Sequence, residues 1–247
     1  MDDRNVAPAS KEFLYGLNPA FEALIAGKRR FYNAYITNGT RNSTRLNKLI
    51  RLLEERDIPI EFTDKGRLQQ LCKSHEHQGV VLRSSTYPYE KWEDLYDCPR
   101  LLLLDNVEDP HNVGAILRSA EVFGFSTVLL PAKGVPEIYP SVVKVSAGAV
   151  EHMRITKQRS ANQYVRKAQD DGYKILSLDA KGNTPMNALP DFSNEKVMLV
   201  IGGEDKGVGQ FVLNISDHIL AVNQFGKVNS LNASVAAGIA MYALSVS

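Results

Sequence analysis

Three polar segments between residues 106 and 236 of this 247-residue chain hold the side chains best suited to chemistry. They are Asn106-Val-Glu-Asp-Pro-His-Asn112-Val-Gly-Ala-Ile-Leu-Arg118, Ile201-Gly-Gly-Glu204-Asp-Lys-Gly207 and Asn229-Ser230-Leu-Asn232-Ala-Ser-Val-Ala236. Arg118 offers a planar guanidinium fork suited to phosphate or carboxylate. The glycines of the second segment permit a tight turn and close backbone approach to a ligand. Ser230 and Asn232 are helix-capping types, and capping explains one of them more easily than both. Glu108, Asp109 and His111 are metal-ligand types without a matching second cluster, so no metal is expected, and His111 reads as a helix start.

The elements that must position these segments are strands. Each segment follows an apolar run: Leu101–Leu104, Val197–Ile201 and Ile219–Val222. Further strands are expected at Thr127–Leu130, Val150–Ile155 and Lys174–Leu178, with helices between most of them. Near-continuous apolar strands imply a parallel sheet covered on both faces. Ligands of such sheets bind beyond the carboxyl ends of the strands, so three segments at three strand ends can build one site. The dinucleotide fingerprint and the Walker loop are both missing, since the glycines of 202–209 have the wrong spacing for either.

Phe13–Arg83 reads as a smaller α/β unit. Asn18-Pro19 is expected to start a helix that buries Phe21, Leu24 and Ile25 and ends at Gly27. Phe31–Thr37 reads as a strand. A helix after Ser43 places Leu46, Leu49, Ile50 and Leu53 on one face and Arg45, Lys48 and Arg51 on the other. Ile58–Phe62 and Gly79–Leu82 read as strands, Arg67–Lys73 as a helix. Residues 84–99, with Pro88, Trp92 and Pro99, read as a linker in which Trp92 packs against a domain. The expected division is 1–83, 84–99 and 100–247.

Charge is unevenly spread. Residues 1–85 carry 14 Lys/Arg against 10 Asp/Glu, although the whole chain is only +1. Between Ala23 and Leu53 lie seven basic residues and no acidic one: Lys28, Arg29, Arg30, Arg41, Arg45, Lys48 and Arg51. Such a patch either attracts a phosphate backbone or is a solvated helix face. No apolar run approaches membrane-span length, and the first residues lack a signal core. Cys72 and Cys98 do not make a disulfide framework, which points to a reducing cytosol.

In their order and spacing the three segments resemble the three motifs of the SpoU (TrmH) family, S-adenosylmethionine-dependent RNA ribose 2′-O-methyltransferases of the SPOUT superfamily. Residues 100–247 resemble its catalytic domain. Residues 13–83, closing with His77-Gln78-Gly79, resemble the small L30e-like substrate-binding domain of the ribosomal RNA members. The resemblance implies a catalytic set of Asn112, Arg118, Glu204, Ser230 and Asn232, with Arg118 activating the target hydroxyl. It implies contacts to S-adenosylmethionine from Gly202, Val222 and Leu231. It also implies a C-terminal trefoil knot, a homodimer, a cytoplasmic or organellar setting, and large-subunit (23S) ribosomal RNA as substrate, with a guanosine as target. A tRNA 2′-O-methyltransferase and a non-catalytic RNA-binding or ribosome-assembly protein are the competing expectations. Two departures stand out: Val222-Asn223-Gln224 where the family usually has Ile-Pro-Met, and Gly202-Gly203-Glu204 where it usually has Gly-Asn-Glu.

Overall fold

The computed structural model describes residues 11–38, 43–186, 189–227 and 230–246. The chain divides into two compact units.

The first unit comprises the described part of Met1–Pro88 together with Ile138–His152. Its sheet runs β1 (Lys11–Tyr15), β4 (Val80–Ser85), β2 (Phe31–Thr37), β3 (Ile60–Thr63). β4 is antiparallel to both of its neighbours, and β2 and β3 are parallel. Helix α1 (Leu17–Ala26) starts two residues earlier than Asn18-Pro19 implied: Gly16 is its N-cap, and the Leu17 N–H donates to Gln78 Oε1 at 3.2 Å. Leu24 is buried, but Ile25, about 100° further round the helix, is 48% exposed. Gly27 ends α1 in the left-handed region, as expected. The Ser43 hydroxyl caps α2 (Thr44–Glu55), which buries Leu46, Leu49 and Leu53. Asp64 caps α3 (Lys65–Cys72). The His77-Gln78-Gly79 segment is the tight turn into β4. Gln78 and Gly79 both take positive φ, and buried His77 accepts the Gly79 N–H at Nδ1. Burial, then the charges of Lys65, His75 and Lys144, hold the His77 imidazole below its ordinary range.

The expected strand Val150–Ile155 is split. Ala147 and Gly148 turn the chain with positive φ, residues Ala149–His152 form a 3-10 turn in the first unit, and the strand β7 is only Arg154–Thr156. The reason is Glu151. Its carboxylate is buried against Arg29, with Nε 2.9 Å from Oε1 and 3.0 Å from Oε2. The 3-10 turn carries that carboxylate onto Arg29 within the first unit. Helix α5 (Pro140–Val145), which the sequence did not suggest, packs on β1.

The second unit holds β5 (Arg100–Asp105), β6 (Thr127–Leu129), β7, β8 (Lys174–Leu178), β9 (Thr184–Pro185), β10 (Val197–Gly202) and β11 (His218–Ala221). They form one parallel sheet in the order β7-β6-β5-β10-β8-β11-β9. α6 (Ala161–Asp170) packs on α7 (Gln210–Ile215), and α4 (Pro110–Val122) packs on α8 (Ala233–Val246). Leu101 and Leu103 enter the core built with α6 and α7. Leu102 and Leu104 alternate to the opposite face and are equally buried, the pattern of a sheet covered on both sides. The stretch expected as a linker belongs partly to this unit: Trp92 lies edge-on to Tyr96 and also packs on Tyr164.

Candidate active site

β5 and β10 lie side by side where strand addition reverses. β6 and β7 extend the sheet beyond β5; β8, β11 and β9 extend it beyond β10. A parallel sheet offers its ligand crevice at this switch, outside the carboxyl ends. The turn 106–109 follows β5, the loop 203–209 follows β10, and residues 222–232 follow β11.

The loop folds back on its own strand. Gly203 N–H donates to the Asp105 carbonyl at 2.9 Å and Gly207 N–H to the Gly203 carbonyl at 2.8 Å. A Cβ on Gly202 would sit 2.3 Å from Gly207 C and Val208 N, so Gly202 is a glycine because the loop's own backbone fills that space. Beside the loop is a cavity of 370 Å³, within the range of small-molecule sites, roughly 300–1,000 Å³. Gly202, Val222, Ser230 and Leu231 all line it. So do Asp179 and Lys181, which the sequence reading missed. Leu178-Asp179-Ala-Lys181-Gly182 follows a strand as the three chosen segments do, so the same strand-end argument would have found it.

Asn112, Glu204 and Asn232 meet in one hydrogen-bonded group. Asn232 Nδ2 donates to Glu204 Oε1 at 2.7 Å and to Asn112 Oδ1 at 2.9 Å, and Asn112 Nδ2 reaches the same Glu204 oxygen at 3.4 Å. Glu204 Oε1 also accepts the Ala233 N–H at 3.3 Å. It thus satisfies a first-turn donor of α8, where a negative charge is favoured. Asn232 Oδ1 accepts the Ser234 N–H at 2.9 Å.

Helix α4 starts at Pro110. Asp109, rather than His111, is its cap, accepting the His111 N–H at 2.9 Å. Val113, Ile116, Leu117 and Ala120 are buried as the periodicity implied. Arg118 therefore lies in the third turn, about 9 Å along the axis from Asn112 and roughly 120° around it. It is exposed and, among the described residues, has no hydrogen-bond or ion-pair partner. The structure thus joins Asn112, Glu204 and Asn232, puts Ser230 in the cavity wall, and leaves Arg118 outside that group.

The basic set of the first unit divides. Lys28, Arg30, Lys48 and Arg51 are exposed. Arg45 pairs with Glu22 at 2.8 Å and lies over the Phe21 ring. Arg29 does not belong with a nucleic-acid surface. Its side chain is wholly buried between Glu151 and Glu12, and every basic group facing RNA must be solvent-accessible. Arg41 lies outside the described residues. Among the described residues no group of three His, Cys, Asp or Glu is disposed to hold a metal ion, and no helix is long and apolar enough to cross a membrane.

The geometry has recognisable relatives. A "Putative TrmH family tRNA/rRNA methyltransferase" of Bacillus subtilis is 31% identical over 94% of both chains. An AdoMet-bound rRNA methyltransferase of Sinorhizobium meliloti has the same fold, with TM-score 0.79 over 95% of this chain and 86% of its own, at 19% identity. A structure concerned with 2-OH methylation of C/U34 on tRNA, 25% identical, covers 60% of this chain and 95% of its own, with TM-score 0.52. Residues 13–90 match the RNA 2′-O ribose methyltransferase substrate-binding family. Residues 99–242 match the SpoU rRNA methylase family, and this chain therefore belongs to the SpoU family of RNA methyltransferases.

Proposed function

We propose that the protein methylates a ribose 2′-hydroxyl of RNA, with a guanosine of the large-subunit ribosomal RNA as target, in the cytoplasm. The observation that carries this reading is the cavity beyond the carboxyl ends of β8, β10 and β11, with the Asn112–Glu204–Asn232 group at its edge. Bound S-adenosylmethionine supplies an electrophilic methyl on a sulfonium. The cavity suits that molecule. Leu178, Ile201, Val222 and Leu231 give apolar wall, loop backbone gives polar contacts, and Asp179, Glu204 and Asp205 give carboxylates complementary to a cation. Gly202, Val222 and Leu231 are the proposed cofactor contacts.

The chain's own residues then have to bring up a hydroxyl and take its proton. Arginine is effectively always protonated, so Arg118 is assigned to the RNA phosphate beside the target ribose. Asn112 and Asn232 hold Glu204. Its Oε1 is engaged three times, while Oε2 has no partner among the described residues. Oε2 would accept the proton that the 2′-hydroxyl gives up as its oxygen takes the methyl and the sulfonium's methyl–sulfur bond breaks to leave a neutral thioether, and Ser230 would orient the ribose from the cavity wall. Glu204→Gln keeps an acceptor for α8 but cannot take a proton. It should lower kcat by about 10²–10⁴-fold with unchanged calorimetric affinity for S-adenosylmethionine. A kcat within threefold of wild type removes Glu204 from that role.

The ribosomal reading is supported by the extent of the structural matches. The rRNA methyltransferase spans nearly the whole chain, whereas the tRNA-related structure spans 60% of it. We assign Lys28, Arg30, Lys48 and Arg51, with Arg41, to phosphate contacts in an L30e-like domain. Reversing Lys48 and Arg51 to Glu should weaken ribosomal RNA binding and reduce its log–log salt slope by about 2; an unchanged slope makes the patch solvated surface. A homodimer is supported by exposed Val235, Ile239 and Tyr242, which recur at i, i+4 and i+7 along α8. A trefoil knot is supported by the start of α8, whose Ala233 N–H donates to Glu204 in the loop after β10. Calorimetry with S-adenosylmethionine tests the reading against a non-catalytic RNA-binding protein: micromolar binding is expected, and no heat would leave only the fold.

A further inference from the structure

Asp105 and Asn106, at the end of β5, grip the loop 203–209 along its whole length. At its start, the Asp105 carbonyl accepts the Gly203 N–H at 2.9 Å. The Asn106 carbonyl lies so close that a Cβ on Gly203 would come within 1.9 Å of the oxygen. In the middle, Asn106 Nδ2 donates to the Gly207 carbonyl at 3.4 Å, and Glu108 pairs with Lys206 at 2.6 Å. At its end, Asp105 Oδ2 accepts the Gly209 N–H at 2.8 Å. Two features show that this arrangement is held against a cost. Asn106 has φ 58, a conformation that costs a non-glycine residue about 1 kcal/mol or more. Asp105 is 7% exposed, and burial raises its carboxyl above the usual carboxylate range while the Gly209 N–H pulls it back.

The same turn leads directly into α4, which carries Asn112 and Arg118. The loop it grips carries Glu204 on one side and lines the cavity with Gly202, Gly203 and Gly207 on the other. We infer that Asp105 and Asn106 are positioning residues that preset the cofactor loop before any ligand binds and keep it in register with α4. Neither contacts the cavity, so each acts through the loop. A preset loop loses less conformational freedom on binding, which raises affinity without a new contact. This inference rests on the cofactor reading above.

Amide exchange of the ligand-free protein and calorimetry with S-adenosylmethionine test it together. Asp105→Asn weakens the charge-assisted bond to Gly209. Asn106→Ala removes the side chain and keeps the φ cost, and Asn106→Gly removes the side chain but relieves that cost. In Asp105→Asn the Gly209 amide should exchange faster and cofactor affinity fall by roughly 2- to 12-fold, the range of one hydrogen bond. Asn106→Ala should be weaker than Asn106→Gly, and all three should keep wild-type RNA affinity. Should Asp105→Asn fail to fold, the two Asn106 variants decide alone. Wild-type exchange over 203–209 together with wild-type cofactor affinity would overturn the clamp. If the wild type binds no S-adenosylmethionine, the cofactor reading falls, and the exchange rates alone then support or refute the clamp.

Discussion

Arg118→Ala should lower methyl transfer by about 10²–10³-fold, the scale of removing one preorganised charge-stabilising donor, with cofactor affinity changed less than threefold. The argument is geometric. Arg118 is exposed in the third turn of α4, outside the Asn112–Glu204–Asn232 group and outside the cavity wall. It has no structural partner to lose among the described residues, so truncation should leave the fold and thermal midpoint near wild type. A guanidinium placed to hold a phosphate acts when RNA is bound. Single-turnover rates at saturating RNA and cofactor isolate that step, and near-normal rates would remove Arg118 from the mechanism. Arg118→Lys should recover only part of the activity, because an ammonium cannot reproduce a bidentate fork.

Glu151→Ala should cost about 3–5 kcal/mol of stability in the first unit, the scale of breaking a buried ion pair on one side. Arg29 and Glu151 both have wholly inaccessible side chains, and Glu12 supplies a second carboxylate at 2.8 Å with 17% exposure. The guanidinium also donates to the Ser85 carbonyl at 3.0 Å and lies over the Tyr87 ring. Burial alone would lower the arginine's affinity for its proton; Glu151 and Glu12 more than restore it, holding the group above its ordinary range. Removing Glu151 leaves that desolvated cation with one partly exposed partner. Amide exchange of β4 and α1 reads the loss in the unit where it occurs. The double variant Arg29→Met with Glu151→Met should recover most of it, since well-packed apolar replacements of a buried pair are often neutral. A Glu151→Ala loss below 1 kcal/mol would show that water reaches the site.

These two residues also mark how far the sequence was legible. The Ser43 cap, the Gly27 terminus, the buried stripe of α4 and most strands of the second unit follow from local pattern, because period, capping type and glycine act within a few residues. Sequence alone places Arg29 with its basic neighbours, because its partner Glu151 lies 122 positions away, and no local pattern reports such a partner. The same contact lies within the segment 150–155 that was expected as one strand. α5 is six residues and β9 two, too short for periodicity to register. In the site, the three strand-end segments were visible as chemistry. The sharing of Glu204 among Asn112, Asn232 and the start of α8 was not, because it depends on how the loop after β10 folds back. The unusual Gly203 gains a physical account: a side chain there would collide with the Asn106 carbonyl. Gln224 lines the cavity, so that departure falls on the proposed cofactor site, while the structure gives no reason for Asn223.

The most direct test supplies the protein with methyl-labelled S-adenosylmethionine and, separately, unmodified large-subunit ribosomal RNA and tRNA transcripts, then locates the label by nuclease digestion and mass spectrometry. Label on the ribose 2′-oxygen of a single guanosine in the ribosomal RNA is the predicted result. Label on a base, or none on either RNA, would contradict the account.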